Sequence, residues 1–378
     1  MTRLLGAGRL TFAALAIPNF RRYYAGQSVS LVGTWMQMAA QSWLVLTLTH
    51  SATALGFIIA AQTLPVLLLG PYGGVVADRV DKRRLMVMLQ IAMGLQALAL
   101  GVLSVTGAVR LWEVAALAAL LGLNNAFENP ARQAFMLELV GAESLRNAVS
   151  LNSVIVNIAR MIGPALAGVL IATVGEGPCF LLNAASFAAV VASLISLDRS
   201  ALRPSPPSPR EPGQLRAGLR YVQSSPELAV PLVMMALAGC LAYEFQVTLP
   251  VMAREGLHVG ATGFGFMTSA MGVGAVFGGL LVAAKGRTGL PTLVASAAAF
   301  GVVLVGASLA PNLPVELVAL ALAGGASIAF MASGNSTLQL AAAPSMRGRV
   351  MSLWFVAFQG STPIGGPLIG WVIAQAGA

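Results

Sequence analysis

The chain has 378 residues, 57% of them apolar and 9% charged, and a formal net charge of +9. A soluble domain carries about 25% charged residues, so water cannot be the solvent for most of this surface, and a polytopic membrane protein is expected. The basic excess does not point to nucleic acid, which calls for a basic soluble domain of recognisable fold, and no such partner is expected.

A helix needs about 20 apolar residues to cross about 30 Å of hydrocarbon, and lipid tolerates only helices or a closed barrel. The apolar runs here are long and lack period-2 alternation, so helices are predicted, at 25–48, 54–77, 84–106, 112–137, 147–174, 178–197, 228–252, 261–284, 290–310, 314–337 and 349–376. The fold class expected is therefore all-α, with eleven spans. Phe20-Arg21-Arg22-Tyr23-Tyr24 precedes the first span, and no short apolar run ends in a small-residue cleavage site, so no removable signal peptide is expected.

Span one carries Gln37 and Gln41 with Trp35, Met36, Met38 and Trp43, and span two carries Gln62. Such amides line a polar cavity or tie helices together, and the Met and Trp side chains form an adaptable apolar wall or face lipid. After span two comes Gly73-Gly74-Val-Val-Ala-Asp78-Arg79-Val-Asp81-Lys82-Arg83-Arg84. A basic cluster alone would serve topology, but an acid at the membrane edge has no use there, so Gly74, Asp78, Arg79 and Arg83 are singled out as more than a topology signal.

Charges within spans are costly, about 2.5 kcal/mol or more at the helix centre. Span four holds Asn124, Asn125, Glu128 and, one turn on, Arg132, an i, i+4 pair on one face that either neutralises itself or stands at the entrance to a cavity. Span five holds Asn152, Asn157 and Arg160, and Arg160 has no acid on neighbouring turns, so its partner comes from another helix or from substrate. Gly163-Pro164-Ala-Leu-Ala-Gly168 follows and suits a kink with close packing. Cys179 and Cys240 are expected to be small apolar packers, supporting neither a disulfide nor a metal site.

The stretch 198–227 is the only long hydrophilic one and divides the chain into an N-terminal bundle, 1–197, and a C-terminal bundle, 228–378. Pro204, Pro206, Pro207, Pro209 and Pro212 predict an extended first part. Residues 214–223 place Leu215, Leu219 and Val222 opposite Arg216 and Arg220, which predicts a short helix on the inner membrane surface. Beyond it, Glu244 in span seven is the first candidate for proton coupling, since a carboxyl in low dielectric can load and release a proton near neutral pH. A satisfied structural acid is the alternative, and Gln246, Gln339 and Gln359 complete the candidate cavity lining.

The segment 146–175 has a twin at 348–377: Ser150-Leu151 aligns with Ser352-Leu353, Ile162-Gly163 with Ile364-Gly365, Gly168 with Gly370, and Gly175 with Gly377. Two similar hydrophobic halves are the mark of a secondary transporter that moves one half against the other. With the N-terminus inside, every lysine and arginine except Arg110, Arg160 and Arg254 falls on the cytoplasmic side, which sets the orientation. Those basic loops also meet anionic membrane lipid. Lys82 and Lys285 lack the Gly-Lys-Ser/Thr context of a phosphate loop, which excludes an ATP-driven pump built from this chain alone. His50 and His258 offer no catalytic constellation, so neither an enzyme nor a metal or other cofactor is expected.

In the loop after span two the chain resembles the major facilitator superfamily. Phe20-Arg-Arg-Tyr-Tyr-Ala-Gly-Gln27, Trp35-Met-Gln37, Trp43-Leu-Val-Leu, Leu64-Pro65, Glu128-Asn-Pro-Ala-Arg-Gln133 and Ile162-Gly-Pro164 look like the branch that holds the bacterial enterobactin exporter and related efflux proteins. The resemblance implies two pseudo-symmetric helical bundles around a central cavity, with alternating access. It implies export of a small hydrophobic or amphipathic compound (a drug, siderophore or secondary metabolite) by proton antiport across the bacterial inner membrane. It further implies that Gly74, Asp78, Arg79 and Arg83 belong to the cytoplasmic gate, with Asp78 latching it against Pro344-Ser345-Met346-Arg347-Gly348-Arg349. Family members usually have twelve spans, so the last is expected to be missing and the C-terminus to lie outside, and a monomer is expected. The glycine-proline signature of the family's antiporters has adjacent glycines where this chain has Ala167-Gly168.

Overall fold

Hydrophobic runs separated by tight capped turns yield antiparallel helices, and Ser51, Asp81 and Asn312 each accept a hydrogen bond from a backbone N–H of the helix they begin. The computed structural model describes residues 12–203, 214–223, 225–285, 288–343 and 346–377. In the first half α1 (Pro18–Thr49), α2 (Ala52–Arg79) and α3 (Lys82–Val105) are followed by one long helix, Leu111–Val174, and by α6 (Gly177–Ile195). The long helix bends at Gly141 into α4 (111–140) and α5 (142–174). The second half contains α8 (Pro226–Leu241), α9 (Phe245–Val251) with a π-helical turn Met252–Gly256, α10 (Gly260–Lys285), α11 (Leu290–Ser308), α12 (Leu313–Ala341), α13 (Arg347–Gln359) and α14 (Thr362–Ala376), with α7 (Gln214–Gln223) between the halves. The described residues form no strand, and eight helical stretches are long and apolar enough to cross a membrane.

Three spans differ from their predicted form. The loop expected between spans four and five is helical on both sides of Gly141, whose φ of 73° lies in the left-handed region, so one glycine supplies the whole turn. Span seven, expected to be continuous over 228–252, breaks at residues 242–244 and runs on to Gly256. Span eleven, expected over 349–376, is divided at Gly360-Ser361, where both residues keep helical φ and ψ but Pro363 has no N–H to donate to the Gln359 carbonyl, so the hydrogen-bond ladder lapses there.

The hydrophobic core falls into clusters, one in the first half around Phe20, Tyr23, Phe135 and Leu194, one in the second around Met235, Phe330 and Trp354, and one that joins both, with Leu44, Val45 and Leu55 beside Val247, Phe264 and Leu320. Within the first half Gly33 brings α1 onto Asn183 of α6, and Gly163 brings α5 onto Trp35 and Val32 of α1. Gly73, next to the half-buried Gly74, faces the Ala126 carbonyl of α4. Cys179 is buried and both cysteines are free. Helix α7 forms where the sequence placed it, but Val222 is buried among the second half's core residues while Leu219 is exposed. The prolines of the linker, with Arg3, Arg9, Arg210, Arg287, Pro344 and Ser345, lie outside the described residues.

Candidate functional site

The two helix breaks meet. Glu244 ends the gap in span seven and is 3% exposed, its carboxyl set against the backbone of Gly365 and Gly366 in α14. Its Oε1 has no hydrogen-bond partner. Backbone released from helical pairing inside an apolar bundle is tolerated where it lines a protein-enclosed site.

Next to Glu244, Tyr243 joins an aromatic cluster. Its ring centroid lies 5.2 Å from Phe300 of α11, 5.5 Å from Phe358 of α13 and 6.2 Å from Phe245. The Tyr243 hydroxyl donates to the Ser327 carbonyl of α12 at 2.7 Å, which fixes the ring. Across from it, the guanidinium carbon of Arg160 lies 4.7 Å from the centroid of the Trp35 ring. Arg160 makes no ion pair or hydrogen bond among the described residues, and the Tyr243 hydroxyl is within its electrostatic range. Of the aromatic residues in this cluster only Trp35 was singled out from sequence, since Tyr243, Phe300 and Phe358 come from segments far apart along the chain. Glu316 was also missed. It stands in the first turn of α12, fully buried, with neither carboxyl oxygen partnered, and so close to a predicted span end that it reads as an interfacial acid.

Glu128 and Arg132 pair as their spacing predicts, at 3.1 Å, and Arg132 also donates to Asn129. The amides divide. Gln37 is buried between α1, α3 and α6, donating to Gln96 at 3.1 Å and accepting from Asn183 at 2.7 Å, and Gln41 donates to Gln62 at 3.0 Å. Asn124, Asn157 and Gln339 bond within their own helices. Asn152 and Gln359 are half-buried and Gln246 is exposed. Arg83 donates to the Leu194 and Ile195 carbonyls at the end of α6, both at 2.7 Å, and beside it Lys82 forms a 2.8 Å ion pair with Glu138. Arg83 thus clasps its own half, whereas Asp78 is half-buried with no ion pair or hydrogen bond among the described residues, and Arg79 is exposed.

The halves touch through two matching contacts at the end remote from these basic turns. Thr53 of α2 donates to the Gly370 carbonyl of α14 at 3.1 Å, and Thr262 of α10 donates to the Gly168 carbonyl of α5 at 3.4 Å. One turn further in, Gly56 meets the Gly366 backbone, and Gly265 meets the Pro164 carbonyl. A side chain at Gly56 or Gly265 would collide with that backbone. Ala52-Thr53-Ala-Leu-Gly56-Phe57 and Ala261-Thr262-Gly-Phe-Gly265-Phe266 are thus a second duplicated motif, legible in the sequence and overlooked there. At the same end Arg254 donates to the Leu46 carbonyl at 2.6 Å and lies 2.7 Å from His50 Nδ1, tying the second half to the C-terminus of α1.

The sequence and the fold are similar to those of known proteins. The chain is 34% identical over 166 residues to the staphyloferrin A transporter of Staphylococcus aureus, covering 43% of this chain and 41% of that protein. It is 27% identical over 278 residues to the enterobactin exporter EntS of Shigella boydii, covering 73% of this chain and 66% of that protein. The matches thus span between two fifths and two thirds of those relatives. The fold superposes with a TM-score of 0.74 and 13% identity on a bacterial homologue of the human lysosomal transporter Spinster in an inward-facing, unoccupied conformation, covering 95% of this chain and 85% of that one. Residues 9–378 match the model of the transmembrane secretion effector family, and the chain belongs to that family, within the major facilitator superfamily.

Proposed function

We propose that this chain is a secondary active transporter that carries a small hydrophobic or amphipathic compound out of the cell, in exchange for protons, by rocking residues 1–197 against 228–378. The observation that carries this reading is the asymmetry of the contacts between halves. Duplicated threonine–glycine contacts and Arg254 close one end across the two halves, while at the other end Arg83 is bonded within its own half. With the basic turns in the cytoplasm, this is the state open to the inside, in which substrate loads beside Arg160 and the Tyr243 cluster.

Glu244 is the proton carrier in this reading, because it is a buried acid without a cationic partner at the meeting of two broken helices. Asp78 latches the inner gate in the opposite state. The chain works as a monomer in the inner membrane with its N-terminus in the cytoplasm. The relatives named as transporter and exporter of siderophores favour export as the direction. The test is efflux of a panel of fluorescent amphiphiles from proteoliposomes under an imposed proton gradient. At least one compound should move against its own gradient and stop when a protonophore is added. Movement indifferent to the proton gradient removes the antiport, and no movement of any compound overturns the reading.

A further inference from the structure

Among the described residues Arg160, in the middle of α5, has neither an acid nor a carbonyl as partner. Lys82 pairs with Glu138, Arg132 with Glu128, and Arg83 and Arg254 are satisfied by helix-terminal carbonyls. The Arg160 guanidinium instead lies over the Trp35 ring, and its Nε is buried without a hydrogen-bond partner. Stacking on an indole occupies the flat face of a guanidinium and leaves its N–H edge, the part that grips a carboxylate through two parallel hydrogen bonds. The half-buried Tyr243, Phe245 and Phe358 rings, with Phe300 behind them, offer apolar surface for the rest of a ligand. Glu244 does not neutralise Arg160, for its carboxyl is lodged against Gly365 and Gly366 and forms no ion pair among the described residues.

We infer that the transported compound is an anion, a carboxylate on a flat apolar body, with the carboxylate held by Arg160 and the body by the aromatic rings around Tyr243. This rests on the transport reading above and names the substrate class for the same site. A cationic amphiphile, by contrast, would bring its charge against an uncompensated guanidinium in a low dielectric.

The test uses the full chain in lipid nanodiscs and three probes of one shape: 2-naphthoate, 2-naphthalenemethanol and 2-naphthylmethylammonium, with binding to empty nanodiscs subtracted. Naphthoate should bind at least about tenfold more tightly than the alcohol, as expected for a charge-assisted hydrogen bond, and the ammonium should bind weakest. Arg160→Gln should bring naphthoate to the affinity of the alcohol without weakening the alcohol. Arg160→Lys, as a second variant of unchanged charge, should keep part of the preference. Equal binding of all three probes, preference for the ammonium, no binding of any, or an unchanged naphthoate preference in Arg160→Gln would each overturn the assignment. Counterflow of the same probes in proteoliposomes separates the two readings. Movement of the alcohol as readily as naphthoate sinks the anion class and leaves transport standing. Naphthoate-selective binding without counterflow sinks transport and leaves the anion site standing.

Discussion

At the residue scale, polar side chains inside the bundle do two different kinds of work, and substitution separates them. Gln37 is spent on Gln96 and Asn183. Gln37→Leu should therefore destabilise the protein by roughly 1–3 kcal/mol through the partners it abandons, seen as a lower thermal midpoint in detergent, with the proton dependence of efflux unchanged. Glu244→Gln should do the reverse, abolishing proton-driven efflux while insertion and midpoint stay near the parent's, because an amide fits the same space beside Gly365 but carries no exchangeable charge. Wild-type transport in that variant would remove Glu244 from the mechanism. Arg160, Glu128 and Glu244 were legible in the sequence because lipid makes a charge conspicuous. Their surroundings were not, since Phe300 and Phe358 approach Tyr243 only through tertiary packing.

At the element scale, the span positions were legible because about 20 apolar residues have few alternatives in a bilayer. The breaks in spans seven and eleven were not, since a hydropathy pattern registers composition and is blind to where the hydrogen-bond ladder lapses. Those breaks matter, because they set Glu244 against Gly365 and Gly366. The glycine contacts between α2 and α14 and between α5 and α10 yield a paired prediction. Gly56→Leu and Gly265→Leu should each wedge the same end open, since each would drive a side chain into partner backbone, and the two should act alike as pseudo-symmetric equivalents. Both should raise the labelling rate of a cysteine placed at Trp35 by a membrane-impermeant maleimide added from outside, in a background free of Cys179 and Cys240. Unchanged labelling would show that these glycines do not hold the seal. Asp78→Asn belongs to the opposite end and should speed interconversion by loosening the latch, and unchanged turnover would count against that role.

At the scale of the whole molecule, one duplication event accounts for the twin motifs at Thr53 and Thr262 and at Gly168 and Gly370, and hence for two equivalent seams along which the halves can separate. The measurement that bears most directly on this motion is the distance between spin labels across each end, one pair at Ala108→Cys and Pro311→Cys and the other at Arg84→Cys and Leu340→Cys, with Cys179 and Cys240 replaced by alanine. All four positions are exposed, and each pair joins the two halves at one end. Raising the proton concentration and adding transported compound should lengthen the first distance while shortening the second. Two distances that change in the same sense, or that stay fixed while transport proceeds, would contradict the rocking of two halves about a central site.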